Sequence, residues 1–151
     1  MKKIVIFTFI LFITLIFGTW FFKDQLKSKS SAQKISWDLL YKLDYKTGQM
    51  PDDVKAIDGQ RVRMAGFIVP LSDDYTMLSE FLLVPDAQAC IHVPPPPPNL
   101  IIHVHLKEPL PRDKVTNPAW VVGTIKIQIS ESIHGESSYR MEGESMEPFV
   151  F

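Results

Sequence analysis

The alternation of hydrophobic and polar positions divides the chain into an anchor, a linker and a body. Residues 4–22 form an apolar run in which Thr8, Thr14, Gly18 and Thr19 are the least hydrophobic members and no residue is charged. At 1.5 Å per helical residue, these nineteen residues extend about 28 Å, close to the ~30 Å hydrocarbon core of a bilayer. Trp20, Phe21 and Phe22 stand at the far end, where aromatic rings suit the lipid–water interface. The pattern predicts one transmembrane helix, with residues 1–22 as an N-terminal anchor. The rival reading is a cleaved signal peptide. Its apolar stretch would be unusually long, and no small-x-small site follows closely. Ser30, Ser31 and Ala32 come nearest, with Lys23, Asp24, Lys27 and Lys29 in between. An uncleaved anchor is favoured. Lys2 and Lys3 precede the run and Lys23, Lys27 and Lys29 follow it, so the basic residues alone do not orient it. The likeness of the start to an export signal places the body outside the cytoplasm, on the periplasmic or exterior face of the inner (cytoplasmic) membrane.

Residues 23–34 are polar and rich in Ser and Lys, and read as a linker. Residues 35–151 read as one domain. Ser36 can cap a short helix from Trp37 to about Tyr45, with Trp37, Leu40, Tyr41 and Asp44 on one face and Leu43 adding to it. Thr47, Gly48 and Pro51 break that helix, and a second helical turn fits residues 51–57. From there the period changes to two. Strands are predicted at residues 59–71, 80–84, 100–106, 120–130 and 138–142. In the first of them Gly66 marks a bulge or sharp coil. Ile102, Val104, Val121, Ile125 and Ile127 are the expected core positions. The predicted fold is mainly β: a small antiparallel, OB-like barrel with a short N-terminal helix, preceded by one transmembrane helix.

Charge changes the list of partners. The whole chain carries a net −1, but residues 35–151 hold ten Lys or Arg against sixteen Asp or Glu, a net of −6. Neutralising phosphates takes clustered Lys and Arg, so nucleic acid is excluded as an expected partner. The single cysteine, Cys90, has no intrachain disulfide partner, so the domain must hold together by its core, a metal or a partner. No Gly-rich phosphate loop, nucleophile elbow or H-E-x-x-H occurs, and a non-enzymatic role is expected.

One stretch departs sharply from ordinary composition. Cys90, Ile91, His92 and Val93 lead into Pro94, Pro95, Pro96, Pro97 and Pro98, then Asn99. Five prolines in a row fix φ, remove five donors and enforce a polyproline II rod of about 15 Å, which cannot be an internal sheet strand. In extended chain Cys90 and His92 project to one side and form a plausible half-site for zinc, with copper as the alternative. His103 and His105 follow on one face of a strand whose other face is Ile102, Val104 and Leu106. If the chain reverses at Asn99 and Leu100, where Asn accepts unusual backbone angles, His103 or His105 can join Cys90 and His92. The bland reading makes Cys90 a small buried hydrophobe and the histidines solvent-facing. A lone C-x-H is a weak metal signal beside two C-x-x-C pairs.

The segment C-I-H-V-P-P-P-P-P-N resembles the signature of a bacterial family of envelope proteins, a domain of unknown function. The resemblance covers about residues 36–151 and takes in S-W-x-L-L, G-x-x-V-R-x-x-G-F-I-V-P-L, F-L-L-V-P and the Tyr139-Arg140-Met141 ending. It implies an exported or lipid-anchored protein, in some cases beside transporter components linked to metal supply. It puts Cys90, His92, the five prolines and Asn99 forward as the functional stretch. The family pattern continues with Gln where this chain has Leu100, and it does not extend to His103 and His105. Two readings follow. One is a membrane-anchored accessory protein that binds zinc or another transition metal in support of a transporter. The other is a non-enzymatic interaction module presenting a rigid polyproline surface to a membrane partner.

Overall fold

The computed structural model describes residues 31–71, 74–87, 96–132 and 135–149, with the backbone alone for 130–132. The expected anchor at residues 4–22 and most of the linker lie outside the described residues. Among those described, no helix is long and apolar enough to cross a membrane. A compact unit begins at Ala32, and the end of the expected linker forms a short strand, β1 (Gln33–Lys34).

Local chemistry sets the first turns. Ser36 precedes helix α1 (Trp37–Tyr41), but its side chain makes no capping bond; its carbonyl accepts the N–H groups of Leu39 and Leu40. The helix ends at Tyr41, short of the expected Tyr45, because Asp44 offers the backbone a competing turn. Its carboxylate accepts the Lys46 N–H at 2.9 Å and the Thr47 hydroxyl at 2.7 Å. Tyr41 is therefore not packed as expected but 62% exposed. Trp37 donates its indole N–H to the Ala65 carbonyl at 2.8 Å and pins α1 to the sheet. Helix α2 (Asp52–Lys55) follows Pro51, within the helical turn expected there. Leu40, Leu43, Val54 and Ile57 from this region are buried in the core.

The remaining strands are β2 (Arg61–Pro70), β3 (Met77–Val84), β4 (Ile102–Pro111), β5 (Ala119–Ser132) and β6 (Gly135–Pro148). With β1 they form a six-stranded sheet in the order β1-β2-β3-β4-β6-β5, and β2 also pairs with β5. The pairings therefore run from β2 through β3, β4, β6 and β5 and return to β2. Gly66 is where β2 changes partner. Up to Gly66 it pairs with β5, and from Phe67 it pairs with β3. A Cβ there would stand 2.7 Å from the Val84 carbonyl oxygen and 2.9 Å from Leu83, so only glycine fits.

The pairing is mixed rather than antiparallel throughout, which corrects the expectation. β5 crosses to pair with β2, and the β5–β6 hairpin then brings β6 back between β5 and β4 in the direction of β4. The core lies on one face of the sheet. Ile102, Val104, Val121 and Ile125 are fully buried there as expected, and Ile127 packs against them partly buried. Ile129, on the same alternation, is 70% exposed near the hairpin end. β6 is much longer than the five residues expected for it. Its sequence is mostly Gly, Ser and Glu, and its backbone is held between β4 and β5.

Candidate functional site

The proline stretch enters the described structure at Pro96; Cys90, His92, Pro94 and Pro95 lie outside the described residues. Pro96, Pro97 and Pro98 are partly exposed. A 3-10 turn over Pro98–Leu100 ends the rod, with the Leu100 N–H on the Pro97 carbonyl at 2.8 Å and the Ile101 N–H on the Pro98 carbonyl at 3.3 Å. The turn falls at the expected place for a different reason. Among the described residues no residue other than glycine has positive φ, so Asn99 supplies no unusual backbone angle.

Asn99 contributes its side chain instead. It is 4% exposed, and its Nδ2 donates to the carbonyls of Tyr41 at 3.0 Å and Leu43 at 2.8 Å. These carbonyls lie at the end of α1 and just beyond it. From β6, Tyr139 donates its hydroxyl to the Leu40 carbonyl at 2.8 Å, alongside the Leu43 N–H. Burial pushes the pKa of this phenol far above its ordinary value, so it stays a donor. The end of the rod is thus tied to α1 by a side chain expected at a contact surface.

Beside this clamp lies a groove of about 370 Å³ lined by residues 41–45, Pro97 and Asn99. Two aromatic rings stand in it, Tyr41 and the 39% exposed Tyr45. The sequence pattern does not announce the groove, because it puts Tyr41 on a packed helix face and runs the helix on to about Tyr45. The usable signal is Asp44 three residues before Thr47 and four before Gly48, which marks a turn and leaves Tyr41 at a helix end and Tyr45 within the turn.

The histidines divide. His105 is exposed. His103 has a side chain only 12% exposed and places Nε2 2.7 Å from Oε1 of Glu80 on β3. It is therefore not simply solvent-facing. Both histidines do lie opposite the core residues Ile102, Val104 and Leu106. On their side of the sheet a second apolar cluster joins Leu82, Val84 and Ile101, with Phe67, Val69 and Leu71 against it. Phe81, Leu82, Leu83 and Val84 are all buried, and such an unbroken run is the mark of a strand covered on both faces. Among the described residues no group of three or more His, Cys, Asp or Glu side chains is arranged to hold a metal ion.

A mixed sheet whose pairings return on themselves, closed by two short helices and a clamped proline turn, defines a mainly β domain that one solved structure shares. A crystal structure of a DUF3299 family protein from Pseudomonas aeruginosa PAO1 superposes with a TM-score of 0.64 at 30% identity, covering 81% of this chain and 99% of that one. The family described as "Protein of unknown function (DUF3299)" matches residues 22–148, and the chain belongs to that family. No curated protein matches it.

Proposed function

We propose that the protein is a membrane-anchored, extracytoplasmic, non-enzymatic interaction module that presents its proline rod to a membrane partner. The observation that carries this reading is the Asn99 clamp. It fixes the end of the rod to α1 while Pro96, Pro97 and Pro98 stay partly exposed beside Tyr41 and Tyr45. A rod already held in its bound shape loses little entropy on contact, and aromatic rings are the usual partners of polyproline. The returning sheet pairings fit an OB-like barrel, a scaffold that carries such a loop rigidly. Residues 4–22 would hold the module at the inner membrane, facing the periplasm or exterior. A transporter component is the partner class the family resemblance implies. Replacing prolines 94–98 with alanine in the full chain tests the reading. Partner co-purification from native membranes should fall at least several-fold with the thermal midpoint unchanged. Undiminished co-purification would end it.

One observation favours a second reading, zinc or copper binding by Cys90 and His92 with His103 or His105. The short His103–Glu80 contact is of the kind that orients a metal-ligating imidazole through its other nitrogen. Calorimetric titration of the full chain in detergent with Zn²⁺ separates the readings. Affinity that survives both Cys90→Ser and His92→Ala would remove the metal reading and leave the rod.

A further inference from the structure

We propose that the groove beside the end of the rod is a socket for one arginine side chain of the partner protein. The inference rests on the reading of the rod as a contact surface and adds the chemistry of what docks there. Two exposed aromatic residues, Tyr41 and Tyr45, line the groove together with Pro97. A guanidinium is planar, weakly hydrated and stacks on such rings. A cation already finds one of them, since Lys46 Nζ lies 6.0 Å from the centre of the Tyr45 ring.

The polar part carries one carboxylate, Asp44. Asp44 remains ionised, because the Thr47 hydroxyl and the Lys46 N–H hold its pKa below the ordinary value. Asn99 spends its amide hydrogens on the Tyr41 and Leu43 carbonyls, and its buried Oδ1 has no hydrogen-bond partner among the described residues. Among the described residues that line the groove the one cation is Lys42, engaged by Asp53 at 2.6 Å. Residues 35–151 carry a net −6, so the domain attracts a basic partner and repels an acidic one. Lysine would bring a strongly hydrated point charge, whereas arginine brings five donors in the plane that stacks.

The test is amide-resolved NMR titration of the full chain in detergent micelles with acetyl-Gly-Arg-Gly-amide, and with the same peptide carrying neutral citrulline. The arginine peptide should bind with a roughly millimolar dissociation constant. Shifts should be confined to the amides of residues 41–49 and the Asn99 side-chain NH₂. Citrulline should bind about tenfold more weakly or worse. Asp44→Asn, whose Oδ1 can still accept the Lys46 and Thr47 backbone N–H groups while its amide donates to the Thr47 hydroxyl oxygen, should weaken arginine several-fold. Lys46→Ala vacates the Tyr45 ring and should tighten it about two- to threefold. Equal binding of the two peptides, or no shift with either, overturns the socket. No partner takes part in this measurement, so its failure leaves the rod standing, and failure of the rod appears only in the membrane co-purification above.

Discussion

Asn99 shows how far a residue's chemistry can differ from the role its neighbourhood suggests. The sequence places it at the end of a rigid surface rod, and its position beside five prolines invites a role in recognition. Its side chain is buried against two carbonyls from a helix end far away in the sequence. No local pattern can announce that contact, because only the fold brings β4's approach and α1 together. The same holds for His103. Alternation correctly put it opposite the core, but Glu80 beside it on β3 was beyond the reach of periodicity. Asn99→Ala should destabilise the domain by about 1–3 kcal/mol, since the Tyr41 and Leu43 carbonyls lose their donor. Asn99→Asp should cost more, because a carboxylate has no hydrogen to give and is repelled by both oxygens. Urea unfolding monitored by tryptophan fluorescence measures both. A shift below about 0.5 kcal/mol for Asn99→Ala would show that the clamp holds nothing.

Elements were legible where apolar residues alternate and illegible where they do not. β5 was read nearly to its ends from Val121, Ile125 and Ile127. β6 was mostly missed, because Gly, Ser and Glu residues carry no such pattern; Ser137 and Ser138 are buried in it all the same. Its strand state comes from neighbours on both sides, a tertiary cause. The two-sided burial of β3 was written in Phe81, Leu82, Leu83 and Val84, yet it takes the facing cluster of Phe67, Val69 and Ile101 to see what it means. Gly66, expected as a bulge or sharp coil, is the point where the pairing of β2 with β5 ends and its pairing with β3 begins. Gly66→Ala should push the backbones of β2 and β3 apart and destabilise by about 1–3 kcal/mol, measured as a lowered thermal midpoint. Gly48→Ala makes a useful comparison. Its positive φ strains an added Cβ, but nothing stands within 4 Å, so the loss should be smaller and confined to the turn.

For the whole molecule, charge couples stability to acid. Asp44, Asp53 and Asp74 are each held below the ordinary aspartate value of 3.8, chiefly by hydrogen bonds from Thr47, Lys42 and Thr76 respectively. Burial pushes Glu144 upward, but Arg61 and Lys107 outweigh it and leave its pKa below 4.5. Groups lowered by folding contribute stability that is complete above those ordinary values and lost as pH falls through the lowered ones. Urea midpoints should therefore hold steady above about pH 5 and decline below it, and Glu144→Gln should flatten part of the decline. A midpoint that rises on acidification would contradict this assignment. The clamped rod, proposed above as the contact surface, can be probed by crosslinking. The most direct measurement replaces Tyr41, which stands exposed beside the end of the rod, with benzoylphenylalanine in the full chain in native membranes. One discrete protein adduct is expected from position 41 under illumination, lost when prolines 94–98 become alanine and absent from the exposed control position Tyr75. An adduct that persists without the prolines, or none at all from position 41, would contradict that proposal.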